Sequence, residues 1–221
     1  MKKALICFSR IPKPGKTKTR LMPYLSGENC AKLHTAFLHD LSAMLKAYGL
    51  PCYIYYTGLE KPEELQLLKD IFPFAADFLP QQGNDLGEKM HKALLHVLSL
   101  GYDCCVLTGS DLPLMGAEHL DSGFAALEKA DVTLGPTEDG GYYLVGIKKA
   151  CYPLFSDQKY GEGSVYENAV KAVEMSGQSF SQALACSDVD TPDDLLSLEK
   201  SLDPGSHTAG FLRSINVFGG Q

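Results

Sequence analysis

At 221 residues and a formal net charge of −7, the chain can bury a full hydrophobic core, and its acidic balance excludes a nucleic-acid polymer as main partner, since that needs a basic face to displace counterions. The seven cysteines are odd in number, form no C-x-x-C pair and include the adjacent Cys104 and Cys105 within an apolar run, which fits buried thiols in a reducing cytoplasm rather than a disulfide framework or a zinc site. The first apolar run stops at Ser9-Arg10, too short for a signal peptide, and no segment is long enough to span a bilayer, so the expected location is cytoplasmic with no membrane span.

In chain order, residues 3–8 read as a first strand, followed by a polar loop to about residue 25 and a helix with an apolar stripe of Phe37, Leu38, Leu41, Met44, Leu45 and Tyr48. Residues 52–57 are strand-like, 62–69 helical with Pro62 in the first turn, and 75–79 a short strand. A helix then runs to about residue 100, and Cys104-Cys105-Val106-Leu107-Thr108 forms a buried strand that ends in Gly109-Ser110-Asp111-Leu112-Pro113. Next come a helix around 120–127, strands at 132–135 and 142–147, and a helix from the capping-box spacing Ser164-Val165-Tyr166-Glu167 to about residue 175. Thr191-Pro192 opens a last helix, with Thr191 as N-cap and Pro192 at the first helical position. Strands alternating with helices predict an α/β fold, a mostly parallel central sheet covered on both faces. Residues 1–202 are expected to form one domain. Residues 203–221 read as a C-terminal extension without periodicity, docked through Phe211, Leu212, Ile215, Val217 and Phe218.

In open α/β sheets, ligands collect outside the carboxyl ends of the strands, which makes Asp111 the first candidate metal ligand. The loop after the first strand places Arg10, Lys13, Lys16, Lys18 and Arg20 in an eleven-residue window of an otherwise acidic chain. With Gly15 for close backbone approach, such a loop suits anionic phosphates. It is not a P-loop, because the position five residues before Gly15 is Arg10, and no dinucleotide fingerprint is present. Gly83, Asp85, Leu86 and Gly87 stand at another strand-to-helix junction, where a base or sugar can be read or where Asn84 or Asp85 simply caps the helix. Asp139-Gly140-Gly141-Tyr142 offers a carboxylate for a hydroxyl or a metal-bound water and a ring for stacking, or else a hairpin turn. Asp188 and Asp190 alternate, so in an extended segment both carboxylates face one way and can join Asp111 at a divalent cation, with one of them free to assist the cap at Thr191. The six histidines show no metal spacing.

Taken together, Lys13-Pro14-Gly15 with Lys18-Thr19-Arg20-Leu21, the Gly83 to Met90 block, Gly109-Ser110-Asp111-Leu112-Pro113, Gly135-Pro136 with Asp139-Gly140-Gly141-Tyr142-Tyr143-Leu144, and Asp188-Val189-Asp190-Thr191-Pro192 resemble one family. It is that of the radical-SAM/selenodomain-associated, or arsenosugar-biosynthesis-type, glycosyltransferases. The resemblance implies a GT-A nucleotide-diphospho-sugar transferase fold, a Rossmann-like three-layer sandwich more distantly similar to molybdenum cofactor and phospholactate guanylyltransferases. It implies phosphate binding by Lys13, Lys18 and Arg20, a divalent-metal ligand at Asp111, and a second ligand among Asp188 and Asp190. The leading expectation is therefore an Mg²⁺- or Mn²⁺-dependent transferase that passes a glycosyl group from a nucleoside diphosphate sugar to a small acceptor, with Asp111, Lys18, Arg20 and Asp139 at the chemistry. One alternative is a nucleotidyltransferase that releases pyrophosphate from a nucleoside triphosphate, which the cationic loop suits equally well. A second is a nucleotide-binding module without catalysis.

Overall fold

A computed structural model describes every residue except Glu162, the side chain of Glu199 and residues 218–221, so Phe218 lies outside the described residues. Among the described residues seven strands form one sheet: β1 (Lys3–Arg10), β2 (Cys52–Thr57), β3 (Asp77–Pro80), β4 (Cys104–Thr108), β5 (Val132–Pro136), β6 (Tyr142–Ile147) and β7 (Phe180–Gln182), in the order β3-β2-β1-β4-β6-β5-β7. Of the strands described, only β6 runs antiparallel to its neighbours, its Leu144 pairing with Thr108 of β4 and its Val145 with Leu134 of β5. The expected α/β fold with a mostly parallel central sheet is the fold observed.

Side-chain alternation along β1 explains the layers. Leu5 and Cys7 enter one core with α1 (Gly27–Tyr48), α2 (Leu65–Ile71) and α4 (Ala117–Lys129), through residues such as Leu38, Leu68 and Phe124. Ala4, Ile6 and Phe8 enter the other with α3 (Leu86–Ser99) and α5 (Val165–Met175), through Leu94 and Val173. A strand with both faces covered must be apolar throughout, and six consecutive β1 residues are buried. Cys7 pairs with Thr108, so β1 and β4 lie side by side and end at the same edge, and the two following loops meet there.

A third apolar cluster lies beyond that edge. Leu21 and Leu25 of the first loop, Leu33 and Phe37 of α1, Val189, and Leu195 of α6 (Pro192–Ser197) meet Leu212 of α7 (His207–Ser214). Residues 203–221 thus contain a helix that the sequence did not announce, anchored through Phe211, Leu212, Ile215 and Val217 as expected. Its N-terminus rests on α1: Asp40 accepts from the backbone N–H groups of His207 (2.7 Å) and Thr208 (2.9 Å) and from the Thr208 hydroxyl (2.6 Å).

Local chemistry differs from expectation at several points. The Ser164 side chain makes no capping bond to α5, whereas Thr191 and Asp194 form the full capping box on α6. Ser164 instead accepts from the Asn168 side chain at 3.3 Å, so its oxygen is turned away from the helix N–H groups. Strand β7, at the sheet's edge, is three residues long and too short to show a period. The seven cysteines are all buried and unpaired. No helix among the described residues is long and apolar enough to cross a membrane.

Because one carboxylate satisfies three donors at the start of α7, Asp40→Ala is expected to lower stability by about 2 kcal/mol, and Asp40→Asn by less. Urea unfolding measures both. No loss in the alanine variant would show that α7 is held by its apolar face alone.

Candidate functional site

The loop that leaves β1 is tightly folded. The Lys16 and Thr17 N–H groups both donate to the Lys13 carbonyl at 3.1 Å, and the Thr17 hydroxyl accepts from the Lys13 N–H at 2.9 Å. Gly15 supplies the positive φ of +73° that this turn needs. Lys18 follows in the left-handed region at φ 52°, rare for a lysine, and its side chain is thereby turned inward and left only 3% exposed. Its ammonium crosses the Phe37 ring at 5.6 Å from the centroid. It lies 2.7 Å from Asp111 Oδ1 and 3.2 Å from Asp190 Oδ1, and donates to the Val189 carbonyl at 2.5 Å.

Three distant segments therefore meet on one nitrogen. Asp111 stands on the loop after β4, and its carbonyl accepts from the Val189 N–H at 3.1 Å, which fixes the 183–190 segment against that loop. His34 adds a second partner: Nδ1 is 3.2 Å from Asp111 Oδ1, while Nε2 lies 3.2 Å from the Arg10 carbonyl. Burial pushes the Asp111 carboxyl up, but the Lys18 charge and His34 more than offset this and hold it well below the usual carboxylate range. The outer oxygen of Asp190 lies 3.4 Å from the exposed Arg20 guanidinium.

These groups line an open cleft of about 730 Å³ at the carboxyl edge of β1, β2 and β4. Arg10, Lys16, Lys18 and Arg20 bring positive charge, Asp111 and Asp190 negative, and Thr57, Gln81 and Ser110 neutral hydrogen-bonding groups. Lys13 is not among the lining residues. Its ammonium is paired with Glu64 at 2.7 Å and Glu60 at 3.4 Å, acids that arrive from the segment after β2 and that the local sequence gave no reason to connect with it. Gly15 likewise serves the turn rather than the cleft wall.

Asp188 and Asp190 do not face one way. The Asp190 and Thr191 N–H groups both bond to Asp194 Oδ2, so the chain enters the α6 cap at Asp190 and the extended alternation breaks there. Asp190 reaches Lys18, whereas Asp188 lines a separate cavity of about 170 Å³ with Phe8, Leu86, Met90, Tyr142 and Tyr143. The two cavities share Phe8, Leu86, Gly109 and Asp111. Burial first, and then the charges of Asp190 and Asp139, push the Asp188 carboxyl up to about 6.

The remaining expected site residues divide by role. Leu86 and Tyr142 line cavity walls, whereas Asp85 caps α3 by accepting from the Glu88 N–H at 2.8 Å. A side chain at Gly87 would collide with the Phe155 carbonyl, and one at Gly140 with the Gly163 carbonyl, so both permit close packing of the chain on itself. Gly83 adopts a φ of +149° beside the backbone of Glu88 and Lys89. Asp139 closes the β5–β6 hairpin, its Oδ1 accepting from the Thr137 hydroxyl and, at 3.0 Å, from the Gly141 N–H. That is the turn alternative, and it leaves Asp139, Gly140 and Gly141 off both cavity walls. His34 is the residue that sequence reading missed. The available signal was a polar side chain continuing the α1 stripe one turn before Phe37 and Leu38, on the buried face nearest the strand ends.

Two outcomes follow from this electrostatic arrangement. Lys18→Met removes the cation between Asp111 and Asp190 and is expected to cost about 2 kcal/mol near neutral pH, less than for a fully buried pair because both acids remain partly exposed. Asp111, with its depressed carboxyl, contributes stability above the ordinary carboxylate range and loses it in acid, so the gap between wild type and variant should narrow as pH falls. Asp188 acts in the opposite sense: with its folded value raised from 3.8 to about 6, wild-type stability falls as pH rises across that window. Asp188→Asn should therefore melt higher than wild type at pH 7 and level with it below pH 4, and equal melting temperatures at both would refute the raised value.

Several proteins similar to this chain carry the names of nucleotide-using transferases. Two proteins named 2-phospho-L-lactate guanylyltransferase are each 24% identical to the chain. The one from Methanocaldococcus infernus aligns over 205 residues, 90% of this chain and 86% of the relative, and the one from Methanothermobacter thermautotrophicus over 201 residues, 90% and 85%. A crystal structure from Desulfovibrio desulfuricans G20, provisionally described as a nucleotide-diphospho-sugar transferase, is 32% identical and superposes with a TM-score of 0.89 over 98% of this chain and 96% of that one. A cytidylyltransferase from Leptospira borgpetersenii shares the fold at 12% identity, with a TM-score of 0.57 over 100% and 98% of the two chains. The family described as "Uncharacterized protein conserved in bacteria (DUF2064)" matches residues 40–162, more than half of the sequence, and the chain belongs to that family.

Proposed function

We propose that this protein, an enzyme of the transferase class, is a nucleotidyltransferase: it binds a nucleoside triphosphate in the large cleft and transfers the nucleoside monophosphate to a small acceptor. The observation that carries the reading is the convergence of Arg10, Lys16, Lys18 and Arg20 with Asp111 and Asp190 at the carboxyl edge of the sheet. A triphosphate carries more charge than a diphosphate sugar and makes fuller use of four cationic side chains. The guanylyltransferase relatives support nucleotidyl transfer over the glycosyl transfer that the sequence placed first.

In the proposed reaction, an acceptor oxygen forms a bond to the α-phosphorus and gives any proton it carries to water in the open cleft, while the bond from that phosphorus to the bridging oxygen breaks and pyrophosphate leaves with the electron pair. Arg20 holds phosphate oxygens, and Lys18, its ammonium bonded to Asp111, Asp190 and the Val189 carbonyl, adds its charge behind them to offset what grows on the leaving group. Among the described residues no three acidic, histidine or cysteine side chains gather as a metal site, but Asp111 and Asp190 stand on the cleft wall with 42% of each side chain exposed and would hold a small divalent cation together with the polyphosphate. Mg²⁺ or Mn²⁺ bound there would supply positive charge to the polyphosphate. His34 Nδ1 stands 3.2 Å from Asp111 Oδ1, and the left-handed backbone at Lys18 presets the ammonium before substrate arrives. Gln81 donates through its amide nitrogen to the Ser9 and Tyr55 carbonyls at 3.4 and 3.1 Å, which leaves its oxygen as an acceptor for a base bearing an amino or imino N–H, as guanine does.

Glycosyl transfer remains the second reading on the strength of the 32% identical structure provisionally described as a nucleotide-diphospho-sugar transferase. Incubation with nucleoside triphosphates or nucleotide sugars, Mg²⁺ and a panel of small acceptors separates the two. Pyrophosphate release is the expected result, release of nucleoside diphosphate from a sugar donor marks the second reading, and thermal stabilisation without turnover marks a binding module. Arg20→Ala should weaken triphosphate binding by about 1.5–3 kcal/mol whatever the base, and leave the affinity for the bare nucleoside unchanged. Asp111→Asn should abolish metal-dependent turnover while the fold survives. Full activity in that variant would remove Asp111 from the reaction.

A further inference from the structure

The smaller cavity differs from the large cleft in charge as well as size. Its walls are Phe8, Leu86, Met90, Leu107, Leu112 and Val145 together with Tyr142 and Tyr143, and its polar groups include the carboxylates of Asp188 and Asp111. Among the described residues, no lysine, arginine or histidine lines it. The tyrosine hydroxyls are engaged elsewhere: Tyr143 donates to the Leu184 carbonyl at 3.0 Å, and Tyr142 shares a hydrogen bond with Tyr160 at 3.1 Å. Lys18, which pairs with Asp111 on the shared edge, lines only the large cleft, and its ammonium is already held by Asp111, Asp190 and the Val189 carbonyl.

We propose that this cavity seats the acceptor, and that the acceptor is a small uncharged hydroxyl compound with an apolar body rather than a phosphorylated acid. The cavity shares Asp111 and Gly109 with the large cleft, so a molecule within it presents its polar end beside the bound polyphosphate. A phosphate group on that molecule would stand against Asp188 with no cationic side chain of the cavity beside it, and a divalent cation at Asp111 would already be shared with the polyphosphate. An uncharged body meets apolar walls, and a hydroxyl can donate to a carboxylate without like-charge repulsion. The relatives' name specifies a phosphorylated acid as their acceptor. This chain is thereby separated from them in acceptor class while keeping the nucleotide half of the site. The inference rests on the nucleotidyl-transfer reading.

The test uses benzyl alcohol and benzyl phosphate, which share a small apolar body and differ by the phosphate. Wild type and Asp188→Asn, each full length, are titrated with both by ligand-observed NMR in excess inorganic triphosphate, which keeps benzyl phosphate out of the cationic cleft. The expected result is preference for the alcohol by about tenfold or more in wild type, narrowed by at least about fivefold in Asp188→Asn. Tighter binding of the phosphate by wild type, an unchanged preference in the variant, or no saturable binding of the alcohol in the millimolar range overturns the proposal. Met90→Trp, which fills the cavity, should abolish alcohol binding, and retained binding places the probe elsewhere and also overturns it. Triphosphate titrated alone reports separately on the nucleotide reading. Its failure to bind would refute that reading, whereas triphosphate binding with a reversed probe preference would refute the acceptor class only.

Discussion

The site depends on one buried ammonium. Lys18 is almost wholly removed from water, and a lone charge so placed would be prohibitively unstable. Asp111, Asp190 and the Val189 carbonyl make it tolerable, and in doing so they fix three segments that are remote in sequence: the loop after β1, the loop after β4 and the approach to α6. The third apolar cluster holds the same segments from behind through Leu21, Val189 and Leu195. Packing alone would set their distance but not their register. The ion pairs select the arrangement in which two carboxylates share one cation.

Sheet topology supplies the rest of the geometry. Parallel pairing of β1 with β4 brings the Arg10 and Thr108 ends to one edge, and antiparallel β6 brings its first residue, Tyr142, to that edge as well. A strand delivering its N-terminus there follows a tight hairpin, which explains why Thr137, Asp139 and Gly140 are occupied in making a turn. The result is a boundary at Asp111 with basic loops on one side and tyrosine rings with Asp188 on the other. The mean charge of the protein says nothing of this division, because a net −7 averages over a cluster of cations and a cavity that has none.

What the sequence revealed, it revealed through local rules. The apolar run of β4 and its terminal Asp111, the α1 stripe, and the Thr191-Pro192 helix start each depend on residues within a few positions of one another, and all appear in the structure. The misses involve long-range partners. Lys13 belongs by composition to the cationic loop, yet Glu60 and Glu64 pair with it from the far side of β2. Asp188 and Asp190 share a two-residue spacing, but Lys18 and the α6 cap draw one of them into a different cavity. His34 reads as one more stripe residue until β4 delivers a carboxylate against it. Helix α7 carries too few apolar positions to announce itself and forms because α1 offers both an apolar face and Asp40.

These misses share a cause that bears on function. A carboxylate or an ammonium has no preferred partner encoded in its neighbours, and its role is decided by which opposite charge the fold brings within about 4 Å, where the interaction is strong enough to outweigh side-chain entropy. Lys13 and Lys18 stand in the same loop, and both are paired with acids. The partners of Lys13 lie outside the cleft and fasten the loop to the segment after β2, whereas those of Lys18 lie on the cleft wall. A polyanion entering the cleft approaches a cation already placed and already held, so little ordering entropy remains to be lost on binding. Under the proposed reaction, the acids that make Lys18 tolerable in the free protein are also those that fit the metal. The interaction that stabilises the free protein is thus the one that preorganises the cleft for polyphosphate.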